Sequence, residues 1–196
     1  MHKKNLFLVT ITGILLFTSS FLITQNVLAR SLGYTWYVAS TPIRYDTILN
    51  PTWKTIIQKG MNTWNDVSTK KQFQFNSSST NATGDISASN RPADTWIGKM
   101  FPTTGSFSGK TYMTRADIIF NTKYEFADGA VAGAYDIQSV ATHELGHALG
   151  IAHCHDADSQ HSSGDQDYTM YNYSFTNETK ARSLTQYDKD AKNSLY

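Results

Sequence analysis

Five of the six histidines of this chain fall between positions 143 and 161, and three of them stand in the run His143-Glu144-Leu145-Gly146-His147-Ala148-Leu149-Gly150-Ile151-Ala152-His153. On a helix, side chains four residues apart lie one turn above another, about 6 Å along the axis, so His143 and His147 can turn both imidazoles onto one ion. Gly150 tolerates the left-handed backbone that ends a helix. A chain that turns back there delivers His153 as a third nitrogen ligand. Three imidazoles suit zinc, and a tetrahedral zinc so held keeps one corner open for water, which is what separates a catalytic site from a structural one. Neutral ligands leave the ion its full charge, which brings the pKa of bound water toward about 7 and polarises a peptide carbonyl. Glu144 adjoins the first ligand and is one of three glutamates in the chain, with Glu125 and Glu178. It is the candidate general base, taking a proton as water attacks and passing it to the leaving amine. A structural zinc would need a fourth protein ligand, for which His155 and Asp156 are the nearby candidates.

These side chains must be positioned by a fold. Asp136 can cap a site helix running from Ile137 to about Leu149, stopped by Gly150. Upstream, Trp53, Ile56, Ile57, Met61, Trp64 and Val67 recur at steps of three and four, which predicts a helix over 52–67 with an apolar stripe laid on a sheet. An opening strand is expected over Tyr34–Ser40 and Ile43–Tyr45, interrupted or bulged near Pro42, with further strands over Phe73–Phe75, Asp85–Ser89, Thr95–Phe101 (ending at Pro102) and Tyr112–Asn121. A last helix should open after Thr185, with Asp188 as a capping-box partner, and run toward Leu195. The fold class is therefore α+β.

Lys3 and Lys4 precede an apolar run from Leu6 to about Ile23, and Val27-Leu28-Ala29 supplies the small residues of a cleavage site. Residues 1–29 read as a secretory signal peptide, with a retained membrane anchor as the alternative. Residues 30–196 then form one domain. With 17 Lys and Arg against 16 Asp and Glu the net charge is +1 and scattered, which argues against a nucleic-acid partner. The single cysteine, Cys154, cannot form an internal disulfide and reads as a small buried hydrophobe beside the third ligand, with a redox-sensitive or metal-competing thiol as the alternative.

The eleven-residue motif resembles that of the metzincin metallopeptidases, and within them the matrixins. Those enzymes carry a methionine turn beneath the zinc, and Tyr168-Thr169-Met170-Tyr171 resembles it, which implies Met170 as the apolar floor of the histidine site. Ala116-Asp117-Ile118-Ile119-Phe120 is similar to the last strand before the matrixin site helix, and Leu184 to Tyr196 to its closing helix. The resemblance implies a metzincin-like catalytic domain, a mixed twisted sheet with about three helices. It implies a zinc endopeptidase with one catalytic ion, acting on protein or peptide substrates that add as a strand along Thr95–Phe101; together with the signal-peptide reading, the expectation is a secreted monomer with no stable membrane association once the signal is cut. The alternative is a secreted zinc-binding module of the same fold that does not turn over, against which intact Glu144 argues.

Departures from the pattern are specific. No histidine lies between Lys3 and Thr142, so a second, structural zinc is not expected. Sixteen residues separate His153 from Met170, and Asn172 stands where a proline is usual, flanked by Tyr171 and Tyr173. Asp156, Asp158, Asp165 and Asp167 crowd the loop before Met170 and Asp128 sits in another. Such loops can hold calcium, but the spacing fits no defined calcium loop and solvated carboxylates are the ordinary reading.

Overall fold

The computed structural model describes residues 31–76, 82–154 and 165–196. The signal-peptide reading of residues 1–29, and the readings of His155, Asp156 and Asp158, lie outside them. Among the described residues no helix is long and apolar enough to cross a membrane.

Six strands form one mixed sheet: β1 (Thr35–Trp36), β2 (Ile43–Thr47), β3 (Phe73–Phe75), β4 (Gly84–Ser89), β5 (Gly98–Phe107) and β6 (Lys110–Asn121). β6 is flanked on one side by β1 and β4, β2 follows β4, and β3 forms one edge; these pairings are parallel. β5 joins β6 as an antiparallel hairpin and, among the described residues, leaves the other edge open. A two-stranded ribbon, β7 (Phe126–Ala127) with β8 (Tyr135–Asp136), precedes the site helix. Among the described residues the three α-helices are α1 (Pro51–Asn65), α2 (Ile137–Ala148) and α3 (Gln186–Leu195). The α+β class with a mixed sheet and three helices is as the sequence implied.

The opening strand is much shorter than expected, two residues rather than Tyr34–Ser40. The buried ammonium of Lys71 donates to the carbonyls of Val38 and Thr41 at 2.6 and 2.8 Å, which draws that backbone away from any ladder. β5 departs in the other direction, running through Pro102 to Phe107. Asn121 N–H donates to Ile97 O, so residues 97, 99 and 101 face β6 while 98, 100 and 102 point to the open edge. The missing N–H of Pro102 therefore falls where no ladder bond is lost.

α1 is capped by Asn50, whose side chain accepts from Trp53 N, with Pro51 at the first turn. Its buried face of Ile56, Ile57, Gly60, Met61 and Trp64 packs on the sheet and crosses α2. The crossing is close at Gly60, where a Cβ would come 2.9 Å from Thr142 Oγ1, and Trp64 Nε1 donates to Thr142 O at 2.8 Å. Helix α2 is thus wedged between α1 and β5, which fixes the helix that carries the histidines.

Candidate active site

Asp136 begins α2 as expected: it accepts from Ser139 N at 2.8 Å. It is also tied down from outside, by Gly129 N and by the guanidinium of Arg182, which bridges to Asp128. Burial by itself would raise the Asp136 carboxyl, but the bonds from Arg182, Ser139 and Gly129 outweigh it and hold the group below the usual carboxylate range.

From this anchored start, α2 presents His143 and His147 on one face. At the other end Gly150, with φ of +93°, turns the chain so tightly that a Cβ would lie 2.6 Å from Tyr34 O. The carbonyls at and just past the end of the helix are satisfied: Trp36 Nε1 donates to Ala148 O at 2.7 Å, the Tyr196 hydroxyl to Leu149 O at 2.7 Å and Leu32 N to Gly150 O at 2.8 Å. The turn so held swings His153 back to the helix.

The three side chains converge. His153 Nε2 lies 3.2 Å from His143 Nε2 and 3.1 Å from His147 Nε2. Their Nδ1 atoms explain the orientation: that of His143 meets Thr169 O at 2.7 Å, and that of His147 meets Ile151 O at 2.7 Å. A carbonyl only accepts, so each Nδ1 carries the hydrogen and each Nε2 offers a lone pair. Burial and the neighbouring imidazoles lower the pKa of His147 well below its usual value, which keeps it neutral and able to ligate. A tetrahedral ion bound by nitrogens at 2.0–2.1 Å sets them about 3.4 Å from one another. The donor type, tautomer and spacing therefore fit zinc, and these three residues form a cluster among the described residues that could hold a metal.

Glu144, one residue on from the first histidine, is buried on the side of β5. Its Oε2 accepts from Met100 N at 2.8 Å, using one of the outward N–H groups of the sheet edge. β5 comes this near because residue 98 is glycine; a Cβ there would lie 2.5 Å from Val140 Cγ1 and 3.3 Å from Glu144 Oε1. Burial pushes the Glu144 carboxyl up to about 7, opposed by the Met100 amide and by the neighbouring His153 and Lys99 side chains. A carboxylate titrating near neutrality can accept a proton and give it back. The histidines and Glu144 open on a cleft of about 610 Å³, walled by Trp96 to Met100, Asn172 to Ser174, Leu32 and Tyr34.

Met170 is fully buried against α2 at Gly146, the residue before the second histidine, where a Cβ would overlap its Sδ and come within 2.9 Å of Trp64. The surrounding turn is held by α3. Asp188 forms the expected capping box with Thr185, and the same buried carboxylate accepts from Thr169 N at 3.1 Å and Met170 N at 3.2 Å. Cys154 is buried as expected.

Sequence reasoning brought out the three histidines, Glu144, Gly150 and Met170, and the structure places all six at one end of α2. It missed the carbonyls of Thr169 and Ile151, the N–H of Met100 and the second task of Asp188. Backbone groups carry no residue signature, and a cap three residues into a helix gives no hint of a longer-range partner. Of the acidic residues weighed for calcium, Asp167 pairs with Lys180 at 2.9 Å and Asp128 with Arg182.

The family model described as Matrixin matches residues 33–196 of the chain. Among curated proteins none matches.

Proposed function

We propose, from the premise that this chain belongs to the matrixin family of zinc metallopeptidases, that it is a secreted endopeptidase hydrolysing internal peptide bonds, with His143, His147 and His153 as zinc ligands and Glu144 as general base. The observation that carries the reading is the meeting of three Nε2 atoms, 3.1 and 3.2 Å apart, beside a buried carboxylate in an open cleft. Zinc held there supplies Lewis acidity, making water a stronger acid and a peptide carbonyl a better electrophile.

The chain's own groups do the rest. Donation from Nδ1 to the Thr169 and Ile151 carbonyls keeps His143 and His147 in the ligating tautomer and orientation. Met170 closes the site from beneath against Gly146, excluding water from that side. With Oε2 of Glu144 held by Met100 N–H, Oε1 is left to take a proton from the attacking water and deliver it to the leaving nitrogen. The outward N–H and C=O of Gly98 and the outward C=O of Met100 offer an edge along which an extended peptide can add as a strand, which gives affinity with little demand on side chains. Residues 1–29 are proposed as the secretion signal and 30–196 as a monomeric domain with one zinc.

The test is hydrolysis of an unfolded protein substrate. Activity should vanish with a chelator and return with zinc, and Glu144→Gln should lower kcat by about 100-fold to 10,000-fold while still binding one zinc per chain. Zinc-loaded wild-type protein that cleaves nothing would favour a binding module of the same fold instead.

A further inference from the structure

Two buried side-chain polar atoms among the described residues have no hydrogen-bond partner. One is the Tyr45 hydroxyl, deep in the core, where the ring packs against Gly84. The other is Oδ1 of Asn172, and it belongs to a residue that lines the cleft together with Gly98, Met100, His143 and Glu144. The flanking Tyr171 and Tyr173 rings pack on each other at 5.6 Å between centroids. A shielded amide oxygen with no partner is a cost the free protein bears, and a ligand that brings an N–H removes it.

The ligand this cleft takes, on the peptidase reading above, is an extended peptide paired to the open edge of β5. In a strand paired on one side only, alternate residues turn their N–H and C=O away from the partner. Those groups need an acceptor and a donor from the other wall. An asparagine side chain offers both in one plane, and its Cβ–Cγ torsion is broad enough to swing either atom to the cleft. We propose that Asn172 binds the substrate backbone by a two-bond contact, Oδ1 accepting the N–H and Nδ2 donating to the C=O of one residue that faces away from β5. Recognition is then of the backbone from both walls, and the residue seated against Asn172 must carry a peptide N–H, so proline is excluded there whatever the neighbouring side chains.

A set of peptide substrates, each N-methylated at one backbone position around the scissile bond, tests this against the zinc-loaded full-length secreted protein. For the wild type, one position facing away from β5 should lower kcat/KM by about 10-fold to 100-fold when methylated. Asn172→Leu should lower kcat/KM for the unmethylated peptide by a like factor and make that position indifferent to methylation, with positions facing β5 as sensitive as before. Asn172→Asp, which keeps an acceptor, should remain sensitive there, and it carries the test should the leucine variant not fold. A methylation profile that is the same in Asn172→Leu as in the wild type, or an Asp variant indifferent at that position, overturns the proposal while leaving the peptidase reading intact. Failure of the wild type to cleave any of the peptides overturns both.

Discussion

Among the described residues, Asp188 is a buried carboxylate with four donors and no cation: Thr169 N, Met170 N, and the N–H and hydroxyl of Thr185. Asp188→Asn keeps its shape and replaces one oxygen by an NH2 group that cannot accept. In the better orientation the oxygen stays toward Thr169 and Thr185, and Met170 N–H is left facing a donor. A buried N–H without a partner costs about 1–3 kcal/mol, and each of the three surviving bonds weakens by about 1 kcal/mol as its acceptor loses charge. The neutral amide costs less to bury, which offsets part of this. A net loss of about 3 kcal/mol lowers Tm by about 6–12 °C for a domain of this size. The loosened turn also frees Thr169 O, the acceptor that orients His143, so zinc affinity should fall by about 10-fold to 100-fold. Scanning calorimetry in the presence of chelator isolates the stability change, and zinc titration against a chromophoric chelator isolates the second. A Tm within about 2 °C of wild type together with unaltered zinc affinity would refute the view that α3 positions the site through this carboxylate.

Gly146→Ala pits about 1 kcal/mol of improved helix propensity against an overlap with Met170 Sδ that costs about 1–3 kcal/mol. The variant should melt lower and bind zinc less tightly, and adding Met170→Ala should make the alanine at 146 stabilising in a double-mutant cycle followed by denaturant unfolding. Arg182→Met removes the guanidinium that pairs with the fully buried end of Asp136, and should cost about 2–3 kcal/mol, discounted for the partial exposure of the arginine. Because the folded-state carboxyl of Asp136 is depressed, its stabilisation is present above the unfolded carboxylate pKa and is lost as pH falls through the folded value. Without Arg182 the folded value rises, so the acid-unfolding midpoint should move to higher pH; an unchanged midpoint would show that Asp136 does not draw on this pair.

Much of the site is legible because its geometry is local. The four-residue step from His143 to His147, the glycine at 150 and the cap at Asp136 all act within one helix and its ends, and short-range rules govern them. The same holds for the apolar stripe of α1 and the capping box of α3. What the sequence does not display is set by distant partners. The first strand is cut short by an ammonium from Lys71, more than thirty positions along the chain. β5 passes through Pro102 because hairpin parity, fixed by pairing with β6, turns that residue outward. The three atoms that cap the end of α2 come from Leu32, Trp36 and Tyr196, at opposite ends of the described chain.

The proposed peptidase activity requires an ion held by three imidazoles with its remaining position open. X-ray absorption at the zinc edge, on the full-length secreted protein loaded with one equivalent of zinc, measures that directly. Three imidazole nitrogens at about 2.0–2.1 Å and one further light scatterer that exchanges with an added small inhibitor are expected. A sulfur scatterer from Cys154, or a fourth imidazole that resists displacement, would contradict it.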